Sequence, residues 1–407
     1  MKLVDGLAKR KVCDLLGKAG ISINVANPKS WDIQVRDERF FRKLAFGGLL
    51  GLGDAYVDGL WDCAALDQFF DRAIRAGLLN WTKWAPSAVL DRSKHWFLNM
   101  QSPARARHNS GDHYDLSNDL FVGMLDPYMQ YTCGYWPEGT RDLDTAQQIK
   151  LQMICDKLDL KPGMRVLDMG CGWGGLAGFM AERYDVKIVG INLSTAQIGY
   201  AAAKFGQRGN VTFEYCDYRD ALIRFGMFDR VVSVGMGEHV GAKNYSMWMS
   251  VIERCLRGDG LALLHIQGRD NQKVPLLDPW TRRYIFPGVE FPTLEELTLS
   301  ARGRFRVVDV HEFGSHYDPT FMAWHENFNR NWATIEKSLH SRRFSRRGWE
   351  YYLRSAAGAF RSGIIPLRQI VFTRPSIKTY TSVRPETREK GATRAVEATV
   401  SEVPTSA

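Results

Sequence analysis

Residues 166–175 read Val-Leu-Asp-Met-Gly-Cys-Gly-Trp-Gly-Gly, an apolar run that ends in an acid and continues with glycine at alternate positions. Asp168 offers an acceptor to a hydroxyl or a cation. Gly170, Gly172 and Gly174 permit a sharp turn at positive φ and let a ligand approach the backbone. The spacing Asp-x-Gly-x-Gly-x-Gly differs from the Gly-x-Gly-x-x-Gly of dinucleotide sites. Other polar side chains end later apolar runs: Asn192, Asp217, Glu238 and His265. Asn192 can bond a hydroxyl, although an acid is the commoner residue at that position. Ser194 and Gln197 open a helical pattern, where free amides and polar groups face a ligand crevice. A helix N-cap and an exposed helix residue are their structural alternatives. Glu238, flanked by glycines, and His265 stand on the same edge, where a substrate would meet the bound ligand. A helix cap and a satisfied strand-end histidine are the bland readings of that pair.

These residues need a common frame, and the hydrophobic pattern supplies one. From about residue 145 the chain alternates helix (145–158), strand (164–168), helix (176–184), strand (187–191) and helix (195–205). Strands at 211–215 and 228–234, a helix at 245–256 and a strand at 260–267 follow. This order predicts an α/β fold, a Rossmann-like parallel sheet with helices on both faces. Strands at 305–311 and 369–373 would close it as a reversed hairpin, around an insertion with a helical run at 349–360. Residues 1–100 read as a smaller helical N-terminal domain, interrupted by glycines at 47–53. Residues 101–144 read as a linker and covering segment, its first part (101–112) polar and basic. The catalytic unit spans 145–374, and the tail 375–407, poor in large apolar residues, reads as disordered.

Composition narrows the partners. The 407 residues suffice for two unequal cores. A net charge of +9, from 54 Lys and Arg against 45 Asp and Glu, favours an anionic partner or plain solubility. Tryptophan beside basic residues in 78–97, with Arg342, Arg343, Arg346 and Arg347, suits a lipid interface as well as it suits helix packing. Seven scattered cysteines show neither metal-ligand spacing nor the density of a disulfide framework. No metal is expected. No apolar run of membrane-spanning length and no secretion-type N-terminus is present, so a cytoplasmic, peripherally membrane-associated chain is expected.

The glycine segment resembles motif I of the S-adenosylmethionine-dependent methyltransferases, which commonly contact the adenine amino group at the position of Asp217. Four further segments make the resemblance specific: 113–121 (His-Tyr-Asp-Leu-Ser-Asn-Asp-Leu-Phe), 131–136 (Tyr-Thr-Cys-Gly-Tyr-Trp), 237–241 (Gly-Glu-His-Val-Gly) and 317–324 (Tyr-Asp-Pro-Thr-Phe-Met-Ala-Trp). They are similar to the cyclopropane fatty acid synthase family, and 51–59 resembles its N-terminal lipid-binding domain. The resemblance implies methyl transfer to a cis double bond of a phospholipid acyl chain, with loss of a proton and ring closure. It implies S-adenosylmethionine contacts from Tyr131, Thr132, Asp168, Gly170, Gly172, Asn192, Ser194, Gln197, Asp217 and Tyr218. It also implies a bound bicarbonate at Cys133, Glu238, His265 and Tyr317, with a backbone amide near Gln267. Tyr135, Trp136, Tyr317 and Trp324 are candidates to shield a passing cation. The implied partner is a phospholipid surface, anionic by charge complementarity. Nucleic acid is not expected, and a homodimer is compatible. Methyl- or methylene-branched lipid products, amine methylation and an inactive lipid-binding relative are the alternatives.

Overall fold

The structure, a computed structural model, describes residues 2–77, 118–270, 278–338, 345–377 and 379–385. The Trp-rich stretch 78–97, the polar stretch 101–112, Arg342, Arg343 and residues 386–407 lie outside the described residues.

Two short strands, β1 (Ile33–Val35) and β2 (Trp61–Cys63), pair antiparallel near the N-terminus. The main sheet follows with β3 (Arg165–Met169), β4 (Lys187–Asn192), β5 (Val211–Tyr215), β6 (Phe228–Val234), β7 (Leu256–Gln267), β8 (Arg306–Glu312) and β9 (Leu367–Thr373). Their order is β5-β4-β3-β6-β7-β9-β8. The first five strands run parallel, and β9 enters antiparallel between β7 and β8. The reversed hairpin expected at the end of the chain is therefore present. Every residue of β9 is buried, as a strand covered on both faces requires. Because the chain leaves β3 in one direction and resumes at β6 in the other, a crevice opens at the carboxyl ends of these strands.

The helices used below are α1 (Lys2–Lys18), α2 (Arg39–Val57), α3 (Leu66–Arg75), α4 (Asn118–Met124), α5 (Leu143–Lys157), α6 (Gly175–Arg183), α7 (Thr195–Phe205), α8 (Tyr245–Cys255), α9 (Tyr317–Arg330) and α10 (Arg346–Arg361). Asp142 caps α5 by accepting from the Thr145 amide at 2.8 Å, a contact that typically contributes about 1 kcal/mol. The glycine-rich segment 47–53 breaks the helical run at one point, as expected. It belongs to α2, which kinks at Gly48 where φ is 58°.

Residues 2–77 do not form a separate core. Phe40, Trp61, Phe69 and Phe70 share one apolar cluster with Phe121, Tyr317, Trp324, Trp349 and Phe360. Helix α10 makes the junction. Its apolar face buries Trp349, Tyr352 and Leu353. Its arginines fasten the N-terminal helices: Arg354 and Arg361 both bind Asp67, at 2.9 and 2.7 Å, and Arg361 also holds Asp318. Arg346 pairs with Glu350 at 3.3 Å, while Arg347 donates to the Tyr56 and Trp61 carbonyls. Arg346 stays half exposed beside its helix neighbour, and Arg347 joins α10 to the N-terminal elements. Among the described residues no helix is long and apolar enough to cross a membrane.

The tail also departs from expectation over 379–385. Tyr380 donates to the Lys157 carbonyl at 3.0 Å, and Ser382 and Arg384 bind Asp309. Asp309 in turn faces the buried Lys157 ammonium at 3.2 Å. Polar contacts to a buried ion pair anchor this strap, so apolar composition alone could not reveal it.

Candidate active site

The polar half of the crevice is built on β3 and the turn after it. Asp168 ends buried at 1% exposure, and its Oδ2 has no hydrogen-bond partner within the protein. Burial pushes its carboxyl up to about 7, and Lys150 pulls the other way. Lys150, on α5, is fully buried. It donates to Gln130 Oε1 and, at 3.0 Å, to Thr132 Oγ1. Burial lowers its pKa to about 8 against the attraction of Asp126, Cys133 and Asp168. One cation therefore fixes the Gln130–Thr132 strand of chain over the pocket and tempers the charge of Asp168.

Around Asp168 the crevice is lined by Gly170, Gly172 and Trp173, by Asn192 and Gln197, by Tyr218 and Arg219, and by Tyr131 and Thr132. Asn192 Nδ2 donates to Gln197 Oε1 at 2.5 Å, which couples the ends of β4 and α7. Two expected contact residues sit differently. Ser194 caps α7 by accepting from the Gln197 amide at 3.2 Å, its structural alternative. Asp217 turns to its own neighbour, with Arg219 at 2.8 Å, so Tyr218 and Arg219 line the crevice in its place.

A second crevice, apolar and aromatic, adjoins the first. Tyr131, Thr132, Gly235 and His239 line both. Gly235 follows β6 with φ of 68°, and a Cβ there would lie 2.8 Å from Thr132 Cγ2. Glycine keeps the two crevices joined. The apolar one is walled by Phe286, Tyr317, Phe321, Trp324, Tyr352 and Phe360, and on its far side by Leu49, Phe70 and Ile74 of the N-terminal helices. Tyr135 and Trp136 do not line it. After Gly134 the chain turns away, and Trp136 donates its backbone amide to His316 Nδ1 at 2.8 Å. Tyr135 packs among His311, Phe313 and His316 instead.

The proton-handling candidates gather near the junction. Glu238, 4% exposed, accepts from the Gln267 backbone amide through Oε1 at 2.7 Å. Its Oε2 is buried without a partner, and burial pushes its carboxyl up to about 7. Tyr317, the first residue of α9, stacks on Phe360 with centroids 4.3 Å apart. Its hydroxyl accepts from Gln267 Nε2 at 3.0 Å. Burial holds that hydroxyl far above its usual pKa. His265 is buried, with Nδ1 3.3 Å from Gln369 Nε2 and Nε2 without a partner. Burial, and then Lys150 and Lys157, keep its imidazole neutral. Cys133 is fully buried and its thiol is raised by burial. Its Sγ lies 3.9 Å from Thr320 Oγ1, and neither Cys133 nor His265 lines the apolar crevice. The amide expected near Gln267 as an anion donor is engaged by Glu238.

Sequence reasoning missed Lys150, because a lysine inside an amphipathic helix ordinarily faces water. It also missed Leu49, Phe70 and Ile74, which reach the site only through the packing of α2 and α3 on α10. Among the described residues no group of His, Cys, Asp or Glu is arranged to hold a metal.

A sheet of this order, with an acid and a glycine turn at its switch point and an aromatic second crevice abutting the first, defines an S-adenosylmethionine-dependent methyltransferase. Within that class the chain belongs to the mycolic acid cyclopropane synthetase family, whose model matches residues 101–370. It is 46% identical over 362 residues to the cyclopropane-fatty-acyl-phospholipid synthase of Escherichia coli (strain K12), covering 89% of this chain and 92% of that protein. The fold matches the cyclopropane synthase MmaA2 from Mycobacterium tuberculosis with a TM-score of 0.60 at 28% identity, over 68% of this chain and 100% of that one. The mycolic acid cyclopropane synthase CmaA1, complexed with SAH and CTAB, gives 0.59 at 29% identity, over 66% and 98%.

Proposed function

We propose that the chain transfers a methylene group from S-adenosylmethionine to the cis double bond of an unsaturated phospholipid acyl chain, forming a cyclopropane ring. The observation that carries this reading is the junction at Thr132 and Gly235, where a polar crevice around Asp168 opens into an aromatic one containing a buried carboxylate. An acyl chain suits the second crevice because its walls are apolar, and a soluble amine would need a counter-charge more accessible than Glu238. The identity to the Escherichia coli synthase supports the same substrate class.

Bound S-adenosylmethionine supplies an electrophilic methyl group. Asp168 Oδ2, left without a protein partner, suits a hydroxyl donor of that ligand. The aromatic faces of Tyr317, Phe321 and Trp324 exclude water from a carbocation and stabilise it. A small hydroxylated anion such as bicarbonate fits the remaining groups. Glu238 Oε2 is an unpaired acceptor and His265 Nε2 an unpaired ring nitrogen. The Gln369 amide nitrogen beside Nδ1 leaves the imidazole proton on Nε2, where it can donate. Such an anion, held by Glu238 and Tyr317 with His265 buried behind them, would accept the proton that the new methyl group must lose. Expression in cells lacking cyclopropane lipids, followed by gas chromatography–mass spectrometry of fatty acid methyl esters, tests the reading. Ring-containing esters are expected; branched or unchanged esters contradict it.

If Asp168 accepts a ligand hydroxyl, S-adenosylmethionine binding tightens as pH rises. Its carboxyl is raised to about 7 in the free protein, the ionised form binds better, and binding therefore releases protons. Calorimetry should show affinity rising by up to about tenfold per pH unit below 7 and levelling above it. Asp168→Asn should bind weakly with a flat profile, and a flat profile in the unmodified protein would contradict the assignment.

The wall from the N-terminal helices should govern chain selection. Ile74→Trp is expected to shift the product distribution toward shorter acyl chains or different double-bond positions, with unchanged cofactor affinity. The esters report it directly, and an unaltered distribution argues that Ile74 does not meet substrate.

Substrate of this class requires access to a bilayer. We assign a peripheral, charge-assisted association, supported by the +9 balance. Vesicle binding should rise with anionic lipid content and weaken with salt, since exposed charges are screened over about 10 Å at 0.1 M. Equal binding to neutral and anionic vesicles would contradict it.

A further inference from the structure

We propose that Gln267 is a positioning residue, which uses its backbone to fix the rotamer of Glu238 and its side chain to aim the Tyr317 hydroxyl proton. The inference rests on the reading of Glu238 and Tyr317 as proton-handling groups and adds a residue that sets their mutual geometry.

Gln267 is the last residue of β7, at the carboxyl edge of the sheet. Its amide nitrogen donates to Glu238 Oε1 at 2.7 Å, and its Nε2 donates to the Tyr317 hydroxyl at 3.0 Å. One residue therefore touches two groups that come from different elements. The Tyr317 ring cannot swing away, since it is buried at 2% exposure and packed against Phe360 and Phe321, which also contact each other. Only rotation about the C–O bond remains free. A phenol has one proton to give and two lone pairs. With Gln267 donating to the oxygen, and the Cys133 amide also lying against it, the hydroxyl must itself donate. Its proton is left the remaining direction, and Glu238, whose charge acts on the phenol, presents the unpaired acceptor Oε2. An apolar side chain at 267 would keep the backbone contact to Glu238 but leave the phenol proton undirected.

Around the pair lie Cys133 and Tyr352 beside Tyr317, Tyr245 against Glu238, and His265 and His239. Burial pushes Cys133 and Tyr245 up and both histidines down. Arg269 and Asp278 line the same crevice, and burial raises Asp278 to about 6; Glu238, raised to about 7, is the one of these groups bonded to Gln267.

The test uses Gln267→Met, which keeps length, volume and the backbone amide but removes the side-chain donor. In the full-length protein kcat should fall about tenfold, the upper range for one neutral hydrogen bond, while KM for S-adenosylmethionine and phospholipid stays within about twofold. The rising limb of the kcat–pH profile should move to higher pH, because an ionised Glu238 loses an oriented donor. In a Tyr317→Phe background the same substitution should change kcat by less than about twofold, since its effect passes through the missing hydroxyl. An equal loss in both backgrounds, or a lower kcat on an unmoved pH limb, overturns the proposal and makes Gln267 a packing residue. Unchanged turnover in Gln267→Met also overturns it, and leaves the underlying reading standing if Glu238→Gln is crippled. If Glu238→Gln and Tyr317→Phe both turn over normally, the underlying reading fails and the proposal with it.

Discussion

Glu238→Gln is expected to lower turnover by about 10²-fold or more, the lower range of general-base contributions, with S-adenosylmethionine affinity nearly unchanged. The glutamine keeps the shape of a side chain that is 4% exposed and anchored by the Gln267 amide. It loses only the charge and basicity of the unpaired Oε2. Glu238 lines the aromatic crevice and not the polar one, so a cofactor in the polar crevice has no direct contact to lose. Because burial raises its carboxyl to about 7, the ionised form gains population as pH rises through neutrality. Unmodified enzyme should therefore show a rising kcat limb near pH 7 that the glutamine variant lacks. Added bicarbonate should also raise the activity of unmodified enzyme assayed in carbonate-depleted buffer. Near-normal turnover of the variant, with no response of either protein to bicarbonate, contradicts the assignment.

Gly172→Val should weaken S-adenosylmethionine binding by about 10²-fold or more while the protein stays folded. Gly172 sits at φ of 55°, and no atom lies within 4 Å of where its Cβ would be. Gly172 lines the polar crevice, where the cofactor is proposed to bind. A valine would thus fill ligand volume instead of colliding with the core. The left-handed backbone costs an L-residue roughly 1–2 kcal/mol, and a β-branched one more, which favours a shifted turn. Both effects act on the same site and oppose the ligand. Calorimetry on folded variant should show the loss, with Gly172→Ala intermediate. Unchanged affinity in the folded valine variant would remove the cofactor from this turn.

Both predictions rest on residues that the sequence singled out, and the reason is physical. Asp168 and the glycines stand at a strand end, where periodicity changes and backbone demands are strict, so composition and spacing carry the signal. The sheet was equally legible, because buried parallel strands are near-continuous apolar runs; the closing hairpin was expected from the resemblance to methyltransferases, and the place of β9 between β7 and β8 was not read. What stayed hidden depends on long-range packing. Arg219 claims Asp217, and no spacing rule separates that pair from a free carboxylate. Tyr135 and Trp136 share a segment with Thr132 yet leave the crevice once the chain turns at Gly134. The contribution of Leu49, Phe70 and Ile74 needs α10 as an intermediary. The strap at 379–385 is polar, and its partner Lys157 reads in sequence as an ordinary helix surface residue.

The central claim is that an alkene takes up the methyl group and that a proton is then removed from that same group to close a ring. Single-turnover reaction of the full-length protein with S-adenosylmethionine carrying a trideuterated methyl group, on vesicles of unsaturated phospholipid, tests it most directly. The account predicts a cyclopropane whose bridging carbon retains two of the three deuterons, with the ring confirmed by nuclear magnetic resonance. An acyclic methyl branch retaining all three deuterons, or an acyclic methylene product, would contradict it.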